Sequence, residues 1–308
     1  MTFAILCSGQ GGQHREMFAL TGQAAPAQSV FDAATGVLDG RDPRDLVQNA
    51  SDEELHSDLV GQVLCCTQAL AAWSVLREKI QDDAILAGYS IGELATWGCA
   101  GLFDAPALMR LARTRAQLMD TAAGNATGLA AIRGLTRATL QSLCGRHDAE
   151  IAIVNGSDSF VVGGPRDVLP ALCEEATRSG ALRAVVLQVA IASHTPRLRA
   201  ASPRFRAALA EVARPPRMPS RIRLLSGIDG TMVIDVEAGL DKLATQISHA
   251  IDWAACLEAC REVGADPILE LGPGAALANM AREAIPGARC RSLEEFRTFD
   301  GAVAWLKR

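Results

Sequence analysis

Residues 84–101 read Ala84-Ile85-Leu86-Ala87-Gly88-Tyr89-Ser90-Ile91-Gly92-Glu93-Leu94-Ala95-Thr96-Trp97-Gly98-Cys99-Ala100-Gly101, and this stretch decides the fold. Its first five residues form a short apolar run suited to a buried strand, and 91–101 carry a helical pattern. Between them Gly88-Tyr89-Ser90-Ile91-Gly92 is a G-x-S-x-G. A strand that turns sharply into a helix at a serine exposes the hydroxyl at the top of a sheet, and the flanking glycines leave room where side chains would clash. Ser90 would then stand at a helix N-terminus, where free N–H groups and the helix dipole favour an oxyanion, with the Ile91 N–H as the natural donor.

Outward from this turn, residues 3–8 read as a buried strand closed by Gly9-Gln10-Gly11-Gly12-Gln13. Helical patterns cover 14–37, 59–79 and 104–120, the last opened by Asp104 with Pro106 in its first turn, while 40–58 reads as an acidic loop. The middle predicts strands at 128–134, 150–154, 159–163 and 182–190, with helices at 136–146 and 165–179. This is the βαββαβ order of a ferredoxin-like unit. Beyond it come helices at 195–213 and 240–263 and strands at 221–226 and 268–271. The expected fold is α/β: a large α/β-hydrolase-like domain with a parallel central sheet, plus an inserted ferredoxin-like small subdomain. The expected boundaries are 1–124 and 192–308 for the core and 125–191 for the insertion.

Composition narrows the function. The 308 residues are 49% hydrophobic and 21% charged, as in a globular protein, and the net charge of −5 counts against nucleic-acid binding. No uninterrupted apolar run reaches the roughly 18 residues of a membrane span, and the N-terminus lacks a basic region before its apolar stretch. A cytoplasmic protein is expected. The nine cysteines are odd in number with no CxxC, and the five histidines show no zinc-like spacing, so buried reduced thiols and no metal are expected.

A serine nucleophile needs a base. His56 and His147 lie in charged, loop-like segments, and spacing leaves His14 and His249 undecided. His194 follows the apolar strand ending in Ile191-Ala192-Ser193, at the carboxyl end where α/β active sites gather. An ordinary hydrolase triad would place its acid between Ser90 and His194, which here means inside the insertion. The pattern suggests instead a Ser-His pair whose imidazole is oriented by another group.

Several segments together resemble the malonyl-CoA:acyl carrier protein transacylase family: Gly9-Gln10-Gly11-Gly12-Gln13, Gly88-Tyr89-Ser90-Ile91-Gly92-Glu93, Arg110-Leu111-Ala112-Arg113-Thr114-Arg115, Ser193-His194 and Glu270-Leu271-Gly272-Pro273-Gly274. The resemblance spans essentially the whole chain. It implies an acylated Ser90, His194 as base and then acid, and an oxyanion hole from the N–H groups of Gln10 and Ile91. It implies Arg115 as the clamp for the free carboxylate of malonate, with Gln62 and Asn155 lining the site. A planar guanidinium matches a carboxylate bidentately and is left unpaired by an acetyl group. The family usually orients its histidine by a main-chain carbonyl. The corresponding segment here is His249-Ala250-Ile251-Asp252-Trp253, so Asp252 is the candidate, through its carbonyl or through a carboxylate paired with His194 or Arg115. No bound cofactor is implied, malonyl-CoA is the substrate and an acyl carrier protein the partner.

Tyr89 stands where the family has histidine, and Leu6-Cys7-Ser8 precedes Gly9 in place of the usual residues. These departures resemble the epsilon subunit of malonate decarboxylase, a malonyl transferase whose acceptor thiol sits on a dephospho-CoA-derived group, and would add other decarboxylase subunits as partners. The alternative is the transacylase of fatty-acid or polyketide synthesis. The rivals from other classes are a thioesterase-type serine hydrolase and a non-catalytic carrier-binding subunit. Eight arginines between 197 and 223 form either a solvated surface or a basic rim that steers CoA phosphates or an acidic carrier.

Overall fold

The computed structural model describes residues 2–80, 82–124, 126–215, 217, 219 and 221–308. Met1 and Asn125, where two of the expected segments begin, lie outside these. The larger sheet contains β1 (Thr2–Cys7), β2 (Asp83–Gly88), β7 (Ile222–Leu224), β9 (Ile268–Glu270) and β10 (Cys290–Ser292), ordered β10-β9-β1-β2-β7. Every pairing in it is parallel. β1 and β2 are almost wholly buried apolar runs, as strands covered on both faces must be.

Alternation along β1 separates two cores. Phe3, Ile5 and Cys7 face one cluster, with the helices Asp58–Lys79, Ile91–Cys99 and Ala105–Ala123. Ala4 and Leu6 face the other, which contains Leu129, Ile153 and Val161 of a second sheet and Trp253, Leu257 and Leu277. The helix Asp58–Lys79 is long and apolar enough to cross a bilayer by length and composition, a segment that the search for uninterrupted apolar runs passes over. Here 89% of its most apolar window is buried inside the protein.

The second sheet is β3 (Thr127–Arg133), β4 (Glu150–Val154), β5 (Ser159–Pro165), β6 (Arg183–Val186) and β8 (Ile251–Asp252), ordered β6-β3-β5-β4-β8. Its first four strands pair antiparallel. The helices Arg137–Arg146 and Leu169–Arg178 supply a third core on one face. The βαββαβ pattern is thus present. Its sheet also takes a parallel fifth strand, β8, from the chain beyond the insertion.

Several expected elements differ. The helix of 240–263 is two helices, Val236–Thr245 and Trp253–Glu262, separated by β8. The Asp252 carboxylate accepts the Ala255 N–H at 2.9 Å and so starts a new helix, a break that continuous apolar periodicity hides. The helix of 14–37 begins only at Gln28, after a short turn containing Pro26. The 40–58 loop contains the helices Pro43–Asn49 and Asp52–Leu55, capped by Asp42 and Ser51. The strand of 182–190 stops at Val186, and the helix of 195–213 is a turn at Pro196–Leu198 followed by Ala201–Ala210.

Candidate active site

The turn from β2 into the helix Ile91–Cys99 is as tight as its glycines suggest. A Cβ on Gly88 would lie 2.2 Å from Gly92 O, and one on Gly92 would lie 2.0 Å from Cys7 O. Ser90 takes φ 57° and ψ −117°, a conformation that a non-glycine residue adopts only when its surroundings enforce it. The hydrogen bond from Tyr89 N–H to Cys7 O at 3.0 Å ties the turn to the end of β1.

His194 does not lie on a strand end. It sits in the irregular crossing after β6, also in the left-handed region at φ 62°. Its N–H donates to Ile247 O at 2.9 Å. Its Nε2 is 2.8 Å from Ser90 Oγ, and its Nδ1 is 2.5 Å from the main-chain oxygen of Gln246. A carbonyl only accepts, so Nδ1 carries the proton and Nε2 is left free to take one from Ser90. Burial, and then the Arg115 charge, hold the imidazole down at about 3, against the opposing pull of the Gln246 carbonyl. It is thus the Gln246 carbonyl, and not Asp252, that meets the imidazole. The Asp252 carboxylate is spent on the helix cap described above, and its main chain belongs to β8.

Arg115, on the helix Ala105–Ala123, is fully buried. Its Nη1 donates to Gln62 Oε1 at 2.7 Å, while its Nη2 lies 3.4 Å from both Ser90 Oγ and Gln246 Oε1. Its Nε is enclosed with no partner among the described residues. Burial lowers its pKa, and Asp58, Cys66 and Glu93 oppose that fall. Gln62 in turn donates to Asp58 Oδ2 at 2.8 Å. On the other side, Gln246 Nε2 donates to Glu93 Oε2 at 2.6 Å and to Ser90 O at 3.3 Å. Burial raises Glu93 to about 8, so this carboxyl is uncharged at neutral pH. The result is a polar chain, Glu93–Gln246–Arg115–Gln62–Asp58, wrapped around Ser90.

The loop after β1 closes the site. A Cβ on Gly9 would lie 2.9 Å from Tyr89 O and 3.6 Å from Ser90 Cβ, so the loop backbone presses against the turn. The Gln10 side chain anchors to Asp58 O at 3.4 Å, and Gln13 to Leu55 O at 3.4 Å. Among the described residues, the main-chain N–H groups of Gln10 and Ile91 donate to no protein acceptor. An adjoining cleft of about 450 Å³ is lined by Gln10, Tyr89, Leu187, Val189 and Met280.

Among the described residues Asn155 makes no hydrogen bond to Ser90 or His194. Its amide acts on the hydroxyl of Tyr89, whose ring meets Trp253 edge-on at 5.5 Å. Tyr89 thus bridges the two sheets. The arginine segment is partly neutralised: Arg197 pairs with Asp148 at 2.9 Å, Arg206 with Glu237 at 2.8 Å and with Asp241, and Arg214 with Glu237. Arg199 and Arg204 are exposed. All nine cysteines are buried and unpaired.

Sequence reasoning missed Gln246, Asp58 and the part played by Glu93. Asp58 had a legible signal, its i,i+4 spacing to Gln62 on one helix. Gln246 had none, because its place depends on where the chain breaks before β8.

The acyl transferase domain model matches residues 4–284. The malonyl CoA-acyl carrier protein transacylase of Mycobacterium tuberculosis is 30% identical, over 94% of this chain and 96% of its own. That of Salmonella typhimurium is 27% identical, over 98% of each. The crystal structure of the acyl-carrier-protein S-malonyltransferase of Burkholderia pseudomallei superposes with a TM-score of 0.90 at 28% identity, covering 99% of this chain and 100% of the other. With a serine–imidazole pair at the turn and a match across nearly its full length, this chain belongs to the acyl transferase domain family.

Proposed function

We propose that the protein moves a malonyl group from malonyl-CoA to the thiol of an acyl carrier protein's prosthetic group, through an ester on Ser90. The observation that carries this reading is one oxygen, Ser90 Oγ, with a neutral imidazole 2.8 Å away and the buried, under-paired guanidinium of Arg115 at 3.4 Å. An acyl group bound at Ser90 would extend towards Arg115, and a free carboxylate would satisfy the N–H groups left short there. The transacylase names of the full-length relatives support the same substrate and partner.

In the first half-reaction Ser90 Oγ attacks the thioester carbonyl as its proton passes to His194 Nε2. The tetrahedral oxyanion is held by the N–H groups of Gln10 and Ile91. The C–S bond breaks, and the CoA sulfur leaves with the proton from His194. In the second half the carrier thiol gives its proton to His194 and attacks the ester. Ser90 Oγ then leaves and recovers the proton. Gln246 keeps the imidazole tautomer fixed throughout, and no step calls for a bound cofactor or metal.

Among transferases of this kind, the relatives support a transacylase of fatty-acid or polyketide synthesis better than a malonate decarboxylase subunit. The decarboxylase reading rests on the departures at Asp252, Tyr89 and Leu6-Cys7-Ser8. A cytoplasmic location is part of the proposal. The ferredoxin-like unit, 125–191, is proposed as a structural insertion into a core of 1–124 and 192–308, locked in place by β8.

Intact-protein mass after brief exposure to malonyl-CoA tests the reading. A malonyl adduct is expected on the wild type and none on Ser90→Ala, and a holo carrier protein should discharge it. Steady CoA release into water without a carrier would mean a thioesterase. Neither adduct nor release would mean a non-catalytic subunit.

A further inference from the structure

We propose that Asp58 is the resident counter-anion of Arg115 and sets how strongly the site grips the free carboxylate of an acyl group. This rests on the reading of Arg115 as the carboxylate clamp. Asp58 opens the helix Asp58–Lys79, one turn before Gln62. Its Oδ2 accepts from Gln62 Nε2 at 2.8 Å, and Oε1 of the same amide accepts from Arg115 Nη1 at 2.7 Å. An amide has one donating end and one accepting end, so Asp58 fixes which end the guanidinium meets. A flipped Gln62 would turn N–H groups towards N–H groups. The first turn of this helix also anchors the Gln10 side chain, so Asp58 adjoins the oxyanion loop.

The groups facing Asp58 come from three elements: Gln62 on its own helix, Arg115 and Asp120 on the helix Ala105–Ala123, and Gln10 on the loop after β1. Burial raises the Asp58 carboxyl to about 6 against the lowering effects of Gln62, Arg115 and Gln10. Of the two carboxyls that act on Arg115, Glu93 is raised to about 8 and stays protonated at neutral pH, whereas Asp58 is ionised. Asp58 is thus the carboxylate that balances the buried guanidinium between acyl groups. A malonyl carboxylate arriving at Arg115 meets its repulsion and competes with it for the same charge. Protonation of Asp58 strengthens the grip, and its ionisation loosens it. Asp58 is a positioning and specificity residue, not one that touches the reacting atoms.

The test is the single-turnover loading of Ser90 across a malonyl-CoA concentration series between about pH 5 and 7.5, with acetyl-CoA in parallel. In the wild type the half-saturating malonyl-CoA concentration should rise several-fold as pH passes about 6. Acetyl-CoA, which carries the same nucleotide phosphates, should not show the rise. Asp58→Asn keeps the acceptor for Gln62 and removes the charge. It should lower the half-saturating concentration about three- to tenfold at about pH 7.5 and abolish the rise, with much less change in the maximal rate. A wild-type profile without the rise, or an Asp58→Asn profile that follows the wild type, overturns the inference. Arg115→Ala separates the two readings. If it loads malonyl as the wild type does, the clamp and the counter-anion both fall. If it loses malonyl loading while Asp58→Asn behaves as wild type, only the role of Asp58 falls.

Discussion

Replacing Arg115 with alanine should change which acyl group the enzyme accepts. The guanidinium is fully buried, makes one good hydrogen bond to Gln62, two long contacts at 3.4 Å, and leaves Nε without a partner. N–H···O bonds fall mostly between about 2.7 and 3.2 Å, so the two long contacts are weak and the donors facing Ser90 are poorly satisfied. A malonyl carboxylate completes them; an acetyl methyl leaves a buried charge with Asp58 as its main counterweight. Breaking a buried charge pair costs about 3–5 kcal/mol, which is a loss of roughly a hundredfold to a few thousandfold in malonyl loading for Arg115→Ala. Acetyl loading should hold or rise, because the penalty for an unsatisfied guanidinium disappears with it. Arg115→Lys keeps the charge and loses the planar fork, and should fall between. The assay is the initial rate of Ser90 ester formation by intact mass for both CoA esters, with thermal unfolding to confirm that each variant is folded. Wild-type malonyl loading by a folded Arg115→Ala enzyme would refute the reasoning, since among the described residues Arg115 is the guanidinium within reach of Ser90 Oγ and the neutral His194 beside it carries no charge to replace it.

His194, held at about 3, is neutral throughout the working range, so the maximal loading rate should be flat between about pH 5 and 8; an inflection near its ordinary value of 6.5 would sink this. Because the unfolded chain protonates this histidine first, its contribution to stability should be lost as pH falls from 6.5 towards 3. Glu93 has the opposite sign: raised from 4.5 to about 8, its stabilising contribution is full below 4.5 and lost as pH rises to about 8. That is about 1.4 kcal/mol per pH unit, and urea denaturation of Glu93→Gln should show a flatter profile than the wild type; parallel profiles would contradict it. Gly92→Ala places a Cβ 2.0 Å from Cys7 O and should cost about 3 kcal/mol or more, whereas Gly145→Ala, with open space around it on an exposed helix, should be neutral or stabilising by about 0.5–1 kcal/mol; equal melting temperatures for the two would refute the packing argument.

Much of the molecule was legible in the sequence because its signals are local. The apolar runs of β1 and β2, the glycines of the turn and the βαββαβ order each act over a few residues, and periodicity registers such patterns. Two- and three-residue strands such as β8 and β10 have no period to read, and a helix with one break reads as continuous when both halves bury the same kind of face. The expectation at Asp252 comes from the resemblance, through the segment His249-Ala250-Ile251-Asp252-Trp253. The break between Thr245 and Trp253, which apolar periodicity does not show, is what brings the Gln246 carbonyl to His194.

The local sequence is enough to place Ser90 at a tight strand-to-helix turn, since Gly88 and Gly92 stand where a Cβ would meet backbone atoms at about 2 Å. Tertiary structure alone decided the charges. Enclosure holds His194 neutral, keeps Glu93 protonated and leaves Arg115 under the influence of Asp58, and each of these depends on how much water the packed chain excludes from a point where several separate segments meet. Desolvation is a property of that three-dimensional surrounding, and no spacing along the chain encodes it.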